Sequence, residues 1–194
     1  PDLRLAFTAP NGFYMVNGTQ AVSINGQSGQ AQLTLGQYNG SLENYISSVF
    51  AQIGGQNAQL RPGAIQRTTV NGIPAAYATA RANTGNGQVD VTVFAYEFAR
   101  DRAYHFQAIT AAGRSGVFNP MFASMRRVSA SEAAAVVPRR IDVVTVGPRD
   151  TVQSLASRMA YTNAQVERFR VLNGLQSNDT VRAGQRVKLV VYAR

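Results

Sequence analysis

The sequence contains no cysteine and no tryptophan, and it has a single histidine and a single lysine. The absence of cysteine excludes disulfides and thiolate metal sites, and it fits a reducing or an oxidising compartment. No apolar run approaches the ~20 residues that a membrane-spanning helix requires. Because the chain begins at Pro1, without an initiator methionine or the regions of a signal peptide, we expect a mature or excised fragment.

Acidic residues are also scarce, with 10 Asp and Glu against 19 Lys and Arg, which gives a net charge of +9. Residues 1–137 contribute +3 (nine basic and six acidic groups), and residues 138–194 contribute +6 (ten basic and four acidic groups). A basic surface favours polyanions such as nucleic acid, anionic lipid or acidic wall polymer. The arginines of the second part are scattered, however, which is typical of a solvated basic face. No recognised nucleic-acid motif accompanies them, so we rank nucleic-acid binding last.

The first part of the sequence alternates strand patterns with Gly and Asn turns. A length of 194 residues suits one large or two small domains. Asn17-Gly18, Asn25-Gly26 and Asn71-Gly72 are tight-turn signals, and they indicate antiparallel hairpins. The predicted strands are rich in β-branched and aromatic residues and lie at 3–10, 12–26, 30–38, 64–72, 73–82, 88–99 and 102–112.

Two helical patterns interrupt these strands. In residues 41–55 the apolar side chains recur at helical spacing, with Ser41 as the N-cap and Gly54-Gly55 as the stop. Asn119 and Pro120 predict an N-cap followed by proline at the first helical position, which opens a short second helix. The order strands, helix, strands, helix predicts an α+β domain whose antiparallel sheet is covered by helices.

A change in composition predicts a domain boundary near residues 132–140. Ser129 and Glu132 have the spacing of a capping box, and Pro138 ends the short helix that follows. We therefore predict an α+β accessory domain at 1–131, a linker at 132–140 and a small second domain at 141–194.

The last 54 residues predict the order β-α-α-β. The first helix is capped by Asp150, and a capping box of Thr162 and Gln165 opens the second helix, which ends at Asn173-Gly174. The two strands are predicted at 141–146 and 186–192. Two strands that flank two helices enclose a very small core, and only a few folds have this order.

This stretch resembles the LysM module, a binder of cell-wall glycans with the same β-α-α-β order. The matching residues are Asp150-Thr151, Leu155-Ala156, Leu172-Asn173-Gly174-Leu175 and Ala183-Gly184-Gln185. LysM modules hold N-acetylglucosamine polymers in a groove between the loop before the first helix and the loop after the second. The resemblance therefore implies these candidate glycan-binding residues: Arg149, Asp150, Thr151, Val152, Leu175, Gln176 and Ser177. Arg149 stands where the module usually has glycine, and a side chain at this place would narrow the groove.

The whole chain is similar to the C-terminal region of certain bacterial periplasmic zinc metallopeptidases, relatives of HtpX and the CAAX prenyl proteases. This resemblance rests on residues 138–175 behind a domain that opens with FTAPNGFYMVNGTQAV. It implies a periplasmic location and a parent peptidase whose HExxH motif and zinc lie in a separate catalytic domain. Residues 1–128 also resemble PsbP-like α+β sandwiches.

The sequence itself offers no catalytic or metal-binding constellation. A catalytic zinc usually takes three protein ligands, and the single histidine, His105, lies in a strand pattern without an acidic cluster nearby. We interpret it as a half-exposed or hydrogen-bonded sheet histidine. Two stretches fall one residue short of Gly-x-Ser-x-Gly, namely 26–29 and 113–116, and we interpret both as turns. A Ser115–His105 pair would lack an orienting acid and an oxyanion hole, so we predict no enzyme, no metal and no cofactor in this chain.

Three functions remain open on these grounds. The first is a non-catalytic region of a periplasmic zinc metallopeptidase, with a LysM-like end that docks to peptidoglycan or to the protein's own protease domain. The second is a free-standing protein that binds N-acetylglucosamine polymers of the cell wall. The third is a basic nucleic-acid-binding protein. An in-frame HExxH upstream of Pro1 would favour the first over the second, and DNA binding that falls steeply with salt would indicate the third.

Overall fold

The strand patterns of the front part form one seven-stranded antiparallel sheet in the order β2-β3-β4-β8-β7-β6-β5. Its strands are β2 (Tyr14–Asn17), β3 (Val22–Gly26), β4 (Gly29–Gln37), β5 (Gln66–Val70), β6 (Ile73–Thr84), β7 (Gly87–Ala99) and β8 (Arg102–Ala111). A separate two-stranded sheet pairs β1 (Leu5–Ala6) with β9 (Arg126–Arg127). The structure, a computed structural model, describes residues 3–55 and 60–193, so residues 1–2, 56–59 and 194 of the predicted domains lie outside the described residues.

The described chain divides into two units, and the boundary between them in the sequence lies between Val128 and Ser129. We call residues 3–128 the front unit and residues 129–193 the tail unit. Each unit has its own hydrophobic core, so each is held together by its own buried apolar area.

The two faces of the large sheet bury different side chains. On one face, aromatic residues of the central strands pack against Phe118, Met121 and Phe122 from a 3₁₀ turn (Ser115–Phe118) and α2 (Asn119–Ser124). On the opposite face, which we call the helix face, α1 (Leu42–Gly54) packs on alanines and valines of β6 and β7. The apolar stripe of α1 is buried as its spacing predicts, and the Ser41 side chain accepts from the backbone N–H of Asn44 at 3.2 Å.

Two predictions for the front unit are wrong in detail. The strand predicted at 3–10 shortens to Leu5–Ala6, because Phe7 and Phe13 pack into the aromatic core while Phe13 N–H donates to Pro10 in a turn. Asn119 is not an N-cap, since it has helical φ and ψ of −55° and −43°. The 3₁₀ turn runs directly into α2, so the chain is already helical where the cap was predicted.

The tail unit has the predicted β-α-α-β order. After α3 (Ala130–Ala135), whose Ser129–Glu132 capping box is present, come β10 (Arg139–Thr145), α4 (Val152–Ala156), α5 (Gln165–Asn173) and β11 (Arg186–Tyr192). The two strands pair antiparallel from Arg139 with Tyr192 to Thr145 with Arg186. The helices bury Leu155, Ala156 and Phe169 against Val187 and Leu189 of β11. The two units together confirm the α+β class with an antiparallel sheet covered by helices and a small β-α-α-β end.

Both helix caps predicted in the tail unit are wrong, and local hydrogen bonds explain why. The Asp150 carboxylate accepts from the backbone N–H of Gly147 at 2.8 Å, so Thr151 becomes the N-cap of α4 instead. At α5 the N-cap position is Ala164, with φ +46° and no side-chain cap. The predicted capping partner Gln165 instead donates its side-chain amide back to the carbonyls of Met159 and Tyr161.

Candidate functional site

A cleft of about 330 Å³ opens in the tail unit between the loop that leads into α4 and the loop that follows α5. Its position follows from the chain order, because both loops leave the same end of the β10–β11 pair, where Thr145 faces Arg186. The cleft is lined by Asp150, Thr151, Val152, Gln153, Val166, Arg170, Asp179, Thr180 and Val181. It is therefore a shallow cleft with an apolar floor of valines and a polar rim.

The wall on the α4 side is fixed by backbone-directed hydrogen bonds. Asp150 closes a tight turn by accepting from Gly147 N–H, and its second carboxylate oxygen accepts from the Ser154 hydroxyl at 3.4 Å. Thr151 and Ser154 form a reciprocal capping box, with Thr151 Oγ1 accepting from Ser154 N–H at 3.0 Å and Ser154 Oγ accepting from Thr151 N–H at 2.9 Å. These hydrogen bonds fix the backbone of the α4 side of the cleft through protein groups alone.

The wall on the α5 side is held by one arginine. Arg170 Nη1 donates to the carbonyl of Asp179 at 3.0 Å and also to the carbonyl of Gln176. The Asp179 carboxylate in turn accepts from the backbone N–H of Gln176 at 2.7 Å. Arg170 and Asp179 thus fix the loop after α5 in a defined shape, although both residues also line the cleft.

Three of the seven predicted site residues, Asp150, Thr151 and Val152, line this cleft. Arg149 is exposed beside it and is not a lining residue. Leu175 packs half-buried on the tail core, while Gln176 and Ser177 are exposed on the loop without lining the cleft. Residues 150–152 therefore line the cleft together with residues 179–181, while the role of residues 175–177 in glycan binding stays a prediction.

Sequence reasoning missed Val166 and Arg170 of α5 as lining residues. They lie four residues apart and so share one face of the helix, a spacing that the sequence already contains. It also missed Asp179, Thr180 and Val181, because the loop after α5 carries no periodic pattern that indicates which residues turn toward α4.

His105, the single histidine of the sequence, lies in the front unit and is 2% exposed, so it is not half-exposed. The hydrogen-bonded interpretation holds, since Nδ1 lies 2.7 Å from the Tyr45 hydroxyl and Nε2 lies 3.0 Å from the Gln107 amide nitrogen. Burial lowers the pKa of His105 to about 4, which keeps the imidazole neutral. Among the described residues, no group of three or more His, Cys, Asp or Glu side chains is placed to hold a metal ion.

A two-stranded sheet with two short helices, and a cleft between the loops at one end, defines a small β-α-α-β binding module. Comparison with known protein families gives that module its class, because residues 144–190 match the LysM domain. LysM is a binding domain for peptidoglycan and related N-acetylglucosamine polymers, and such domains occur in extracellular and cell-envelope proteins. Within the described ranges, no helix is long and apolar enough to cross a membrane.

Over 64–75% of its length, the chain is similar in structure to three solved proteins at low identity. The first is a protein of Bacteroides thetaiotaomicron VPI-5482, with a TM-score of 0.47 and 10% identity over 75% of this chain and 51% of that chain. The second is PsbP of the cyanobacterium Synechocystis sp. PCC 6803, with a TM-score of 0.48 and 12% identity over 64% of this chain and 86% of that chain. The third is the Pseudomonas aeruginosa protein of unknown function PA94, a putative regulator, with a TM-score of 0.34 and 11% identity over 70% of this chain and 88% of that chain. The chain spans about half the length of the Bacteroides protein. No curated protein sequence matches the chain. Likenesses at this level carry no functional information.

Proposed function

We propose that this chain is a non-catalytic, glycan-binding region of a cell-envelope protein. Its tail unit binds peptidoglycan or a related N-acetylglucosamine polymer in the cleft between residues 150–153 and 179–181. The observation that carries this proposal is the coincidence of the LysM match at residues 144–190 with a cleft between the two loops at one end of the module.

The chemistry of the cleft suits a sugar polymer. Val152, Val166 and Val181 supply apolar surface for the C–H faces of the rings, and the hydroxyls of Thr151 and Thr180 lie on the rim. The Thr151 oxygen already accepts from Ser154 N–H, but its own proton remains able to donate to a ligand. Arg149, which stands in the usual glycine position, does not obstruct the cleft, because its side chain is exposed and outside the lining.

A groove-filling substitution tests this assignment better than removal of Asp150 or Thr151, since those two side chains also hold the α4 loop together. Thr180 lines the cleft and makes no hydrogen bond among the described residues, so Thr180→Trp fills the cleft without removing a structural contact. Thr162→Trp is the matched control, because Thr162 is an exposed threonine of the same unit that does not line the cleft.

Retention on purified peptidoglycan should fall at least about tenfold for Thr180→Trp, equivalent to ~1.4 kcal/mol. Retention of Thr162→Trp should equal that of the unsubstituted protein. Equal retention of both variants would show that glycan binds elsewhere, and no retention of the unsubstituted protein would show that the module does not bind peptidoglycan.

The proposed parent protein is a periplasmic zinc metallopeptidase, and its protease domain is the alternative partner of the tail unit. This part of the proposal is supported by the sequence resemblance alone, and the comparisons above add nothing to it. An HExxH-encoding segment in frame upstream of Pro1 would support it, and a gene without that segment would leave a free-standing glycan-binding protein.

A further inference from the structure

Half of the helix face of the large sheet is not covered by α1. That helix packs mainly on β6 and β7 and reaches β4 near Gly36, where the Tyr45 ring approaches the backbone. On the other half, Tyr14 (64%), Val16 (52%), Ile109 (46%), Gln30 and Gln32 are exposed, whereas Ser23, Asn25 and Gln107 are half-buried. On the α1 side of the same face, by contrast, Ala76, Ala78, Val91 and Val93 are buried under the helix.

Strand register arranges the side chains of this open half in two rows that run across the strands. One row is Val16, Ser23, Gln32 and Gln107, and the next is Tyr14, Asn25, Gln30 and Ile109. Neighbouring strands lie ~4.8 Å apart, so each row is about 14 Å long, and the two rows are about 7 Å apart. We call these eight residues the amide platform, since four of them carry side-chain amides.

The polar groups of the amide platform are free to bind a ligand. Within the described part of the chain, the side chains of Ser23, Asn25, Gln30 and Gln32 make no hydrogen bond to protein. The Gln107 side chain is held by a hydrogen bond, because its Nε2 donates to Nε2 of His105 in the same strand at 3.0 Å. The side-chain carbonyl oxygen of Gln107 stays available. Because His105 Nε2 accepts, the proton of the neutral ring is on Nδ1. His105 Nδ1 therefore donates to the Tyr45 hydroxyl, which donates to the carbonyl of Ala103 at 3.3 Å.

None of the eight platform residues is charged, although the chain carries a net charge of +9. A surface for nucleic acid, anionic lipid or another polyanion would instead present Arg or Lys. A protein partner would need larger apolar or arginine anchors at the centre of the interface, where this surface has amides. Amides donate and accept at once, which matches the neighbouring hydroxyl and acetamido groups of a neutral sugar chain.

The amide platform continues into a cleft of the front unit with a volume of about 940 Å³. Gln30 and Ile109 belong to both. The cleft is lined by the two Gly-x-Ser-Gly stretches that the sequence singled out, with all of residues 26–29 and with Gly113, Arg114 and Gly116, so one arginine borders the cleft beside the uncharged platform. Both act as turns, and at Gly29 a Cβ would lie 2.7 Å from the carbonyl of Ile109, so only glycine allows this close approach.

We propose that the amide platform and its adjoining cleft form a second carbohydrate site, which binds a neutral chain that contains N-acetylglucosamine. Tyr14, at the exposed edge, stacks on a sugar ring, and the amides of Asn25, Gln30, Gln32 and Gln107 bind its hydroxyl and acetamido groups. The choice of sugar rests on the function proposed for the tail unit, whereas the position of the site rests on the front unit alone.

The experiment titrates the full chain with a soluble N-acetylglucosamine tetramer and follows backbone and side-chain amide signals by NMR. In the Thr180→Trp background, where the tail cleft is filled, the tetramer should still shift the signals of Gln30, Gln32 and Gln107. A Gln30→Ala/Gln32→Ala double variant should weaken this binding at least about tenfold. Gln37→Ala is the matched control and should leave it unchanged, because Gln37 is an exposed glutamine of the same strand on the opposite face.

A second variant guards against a folding defect. Tyr14→Ala removes a mostly exposed ring and should also weaken binding, while Met15→Ala, half-exposed on the other face of β2, should not. Platform signals that do not move at millimolar tetramer would overturn the proposal, as would equal affinity of the glutamine double variant and its control. Failure of the function proposed for the tail unit is distinguishable, because in the unsubstituted chain it would appear as unmoved signals at residues 150–153 and 179–181 while the platform signals still move.

Discussion

His105 illustrates at the residue scale how burial decides the role of a side chain. A lone imidazole in a strand pattern is consistent with a surface, structural or metal-binding role until its neighbours are known. Its neighbours are Tyr45 from α1 and Gln107 from its own strand, and together they satisfy both ring nitrogens of the neutral form. The residue therefore links the buried and open halves of the helix face.

The neutral state of His105 makes stability depend on pH. Its pKa is about 4 in the folded chain and 6.5 in the unfolded chain, so the unfolded chain binds the extra proton as pH falls below 6.5. The free energy of unfolding should decrease by up to about 3 kcal/mol between pH 6.5 and 4 from this group alone. Urea unfolding at several pH values should show a smaller decrease for His105→Gln. Identical pH slopes for the two proteins would contradict the buried, neutral assignment.

The sequence predicted the start of α4 correctly but assigned its N-cap to the wrong residue. Asp150 was predicted to cap α4, and the cap is its neighbour Thr151, because the carboxylate is taken by Gly147 N–H. A sequence shows that an Asp-Thr pair precedes a helix, but it does not show which of the two side chains caps the helix and which accepts a hydrogen bond from the preceding turn. Glycan binding by residues 175–177 stays a prediction, while residues 179–181 line the cleft, because the loop after α5 carries no period that shows which of its residues turn toward α4.

At the scale of elements, Asn173 connects the end of α5 to β11. Its Nδ2 donates to the carbonyls of Phe169 at 2.9 Å and Lys188 at 3.0 Å, and its Oδ1 accepts from Lys188 N–H at 2.7 Å. These three bonds hold the helix C-terminus against the strand, and Gly174 follows with φ +64° to turn the chain away. The Asn-Gly pair is thus a structural feature of the module and is separate from the lining of the cleft.

Asn173→Ala should lower the free energy of unfolding of the tail unit by about 1–3 kcal/mol, since it leaves the Lys188 backbone groups without their partner. Amide hydrogen exchange along β11 reports this loss directly. Asn163→Ala is the control, because Asn163 is exposed and its side chain contacts Arg168 alone among the described residues, at 3.4 Å. The control should change stability by less than about 0.5 kcal/mol. Equal exchange rates in the two variants would show that Asn173 does not hold the two elements together.

Elements with a strong period were predictable, and their ends were not. The helical spacing of α1, with Ser41 and Gly54-Gly55 at its ends, and the turn before the strand at 186–192 located these two elements, and each buries one regular face. The strand predicted at 3–10 failed because Phe7 and Phe13 serve the core of the sheet instead of pairing in it. The local spacing of apolar residues does not show that these two side chains pack in the core.

At the scale of the whole molecule, the chain joins a LysM unit to a front unit whose amide platform carries no charged residue. The two proposed sites hold few of the chain's basic residues, since Arg170 lines the tail cleft beside Asp150 and Asp179 and Arg114 lines the front cleft. Retention on chitin, a neutral N-acetylglucosamine polymer, should therefore change by less than about twofold between 50 and 500 mM salt, whereas phosphate-driven nucleic-acid binding falls by orders of magnitude over such a range. A steep loss of chitin retention with salt would indicate that the arginines, and not the cleft and the platform, make the contact.

The central claim is that the cleft between residues 150–153 and 179–181 holds an N-acetylglucosamine chain, and a titration of the full protein with the soluble tetramer tests it most directly. The account predicts saturable shifts of the backbone amide signals of Val152, Gln153, Thr180 and Val181, and the loss of those shifts in Thr180→Trp but not in Thr162→Trp. Tetramer-induced shifts that leave these four residues unmoved in the unsubstituted protein would contradict it.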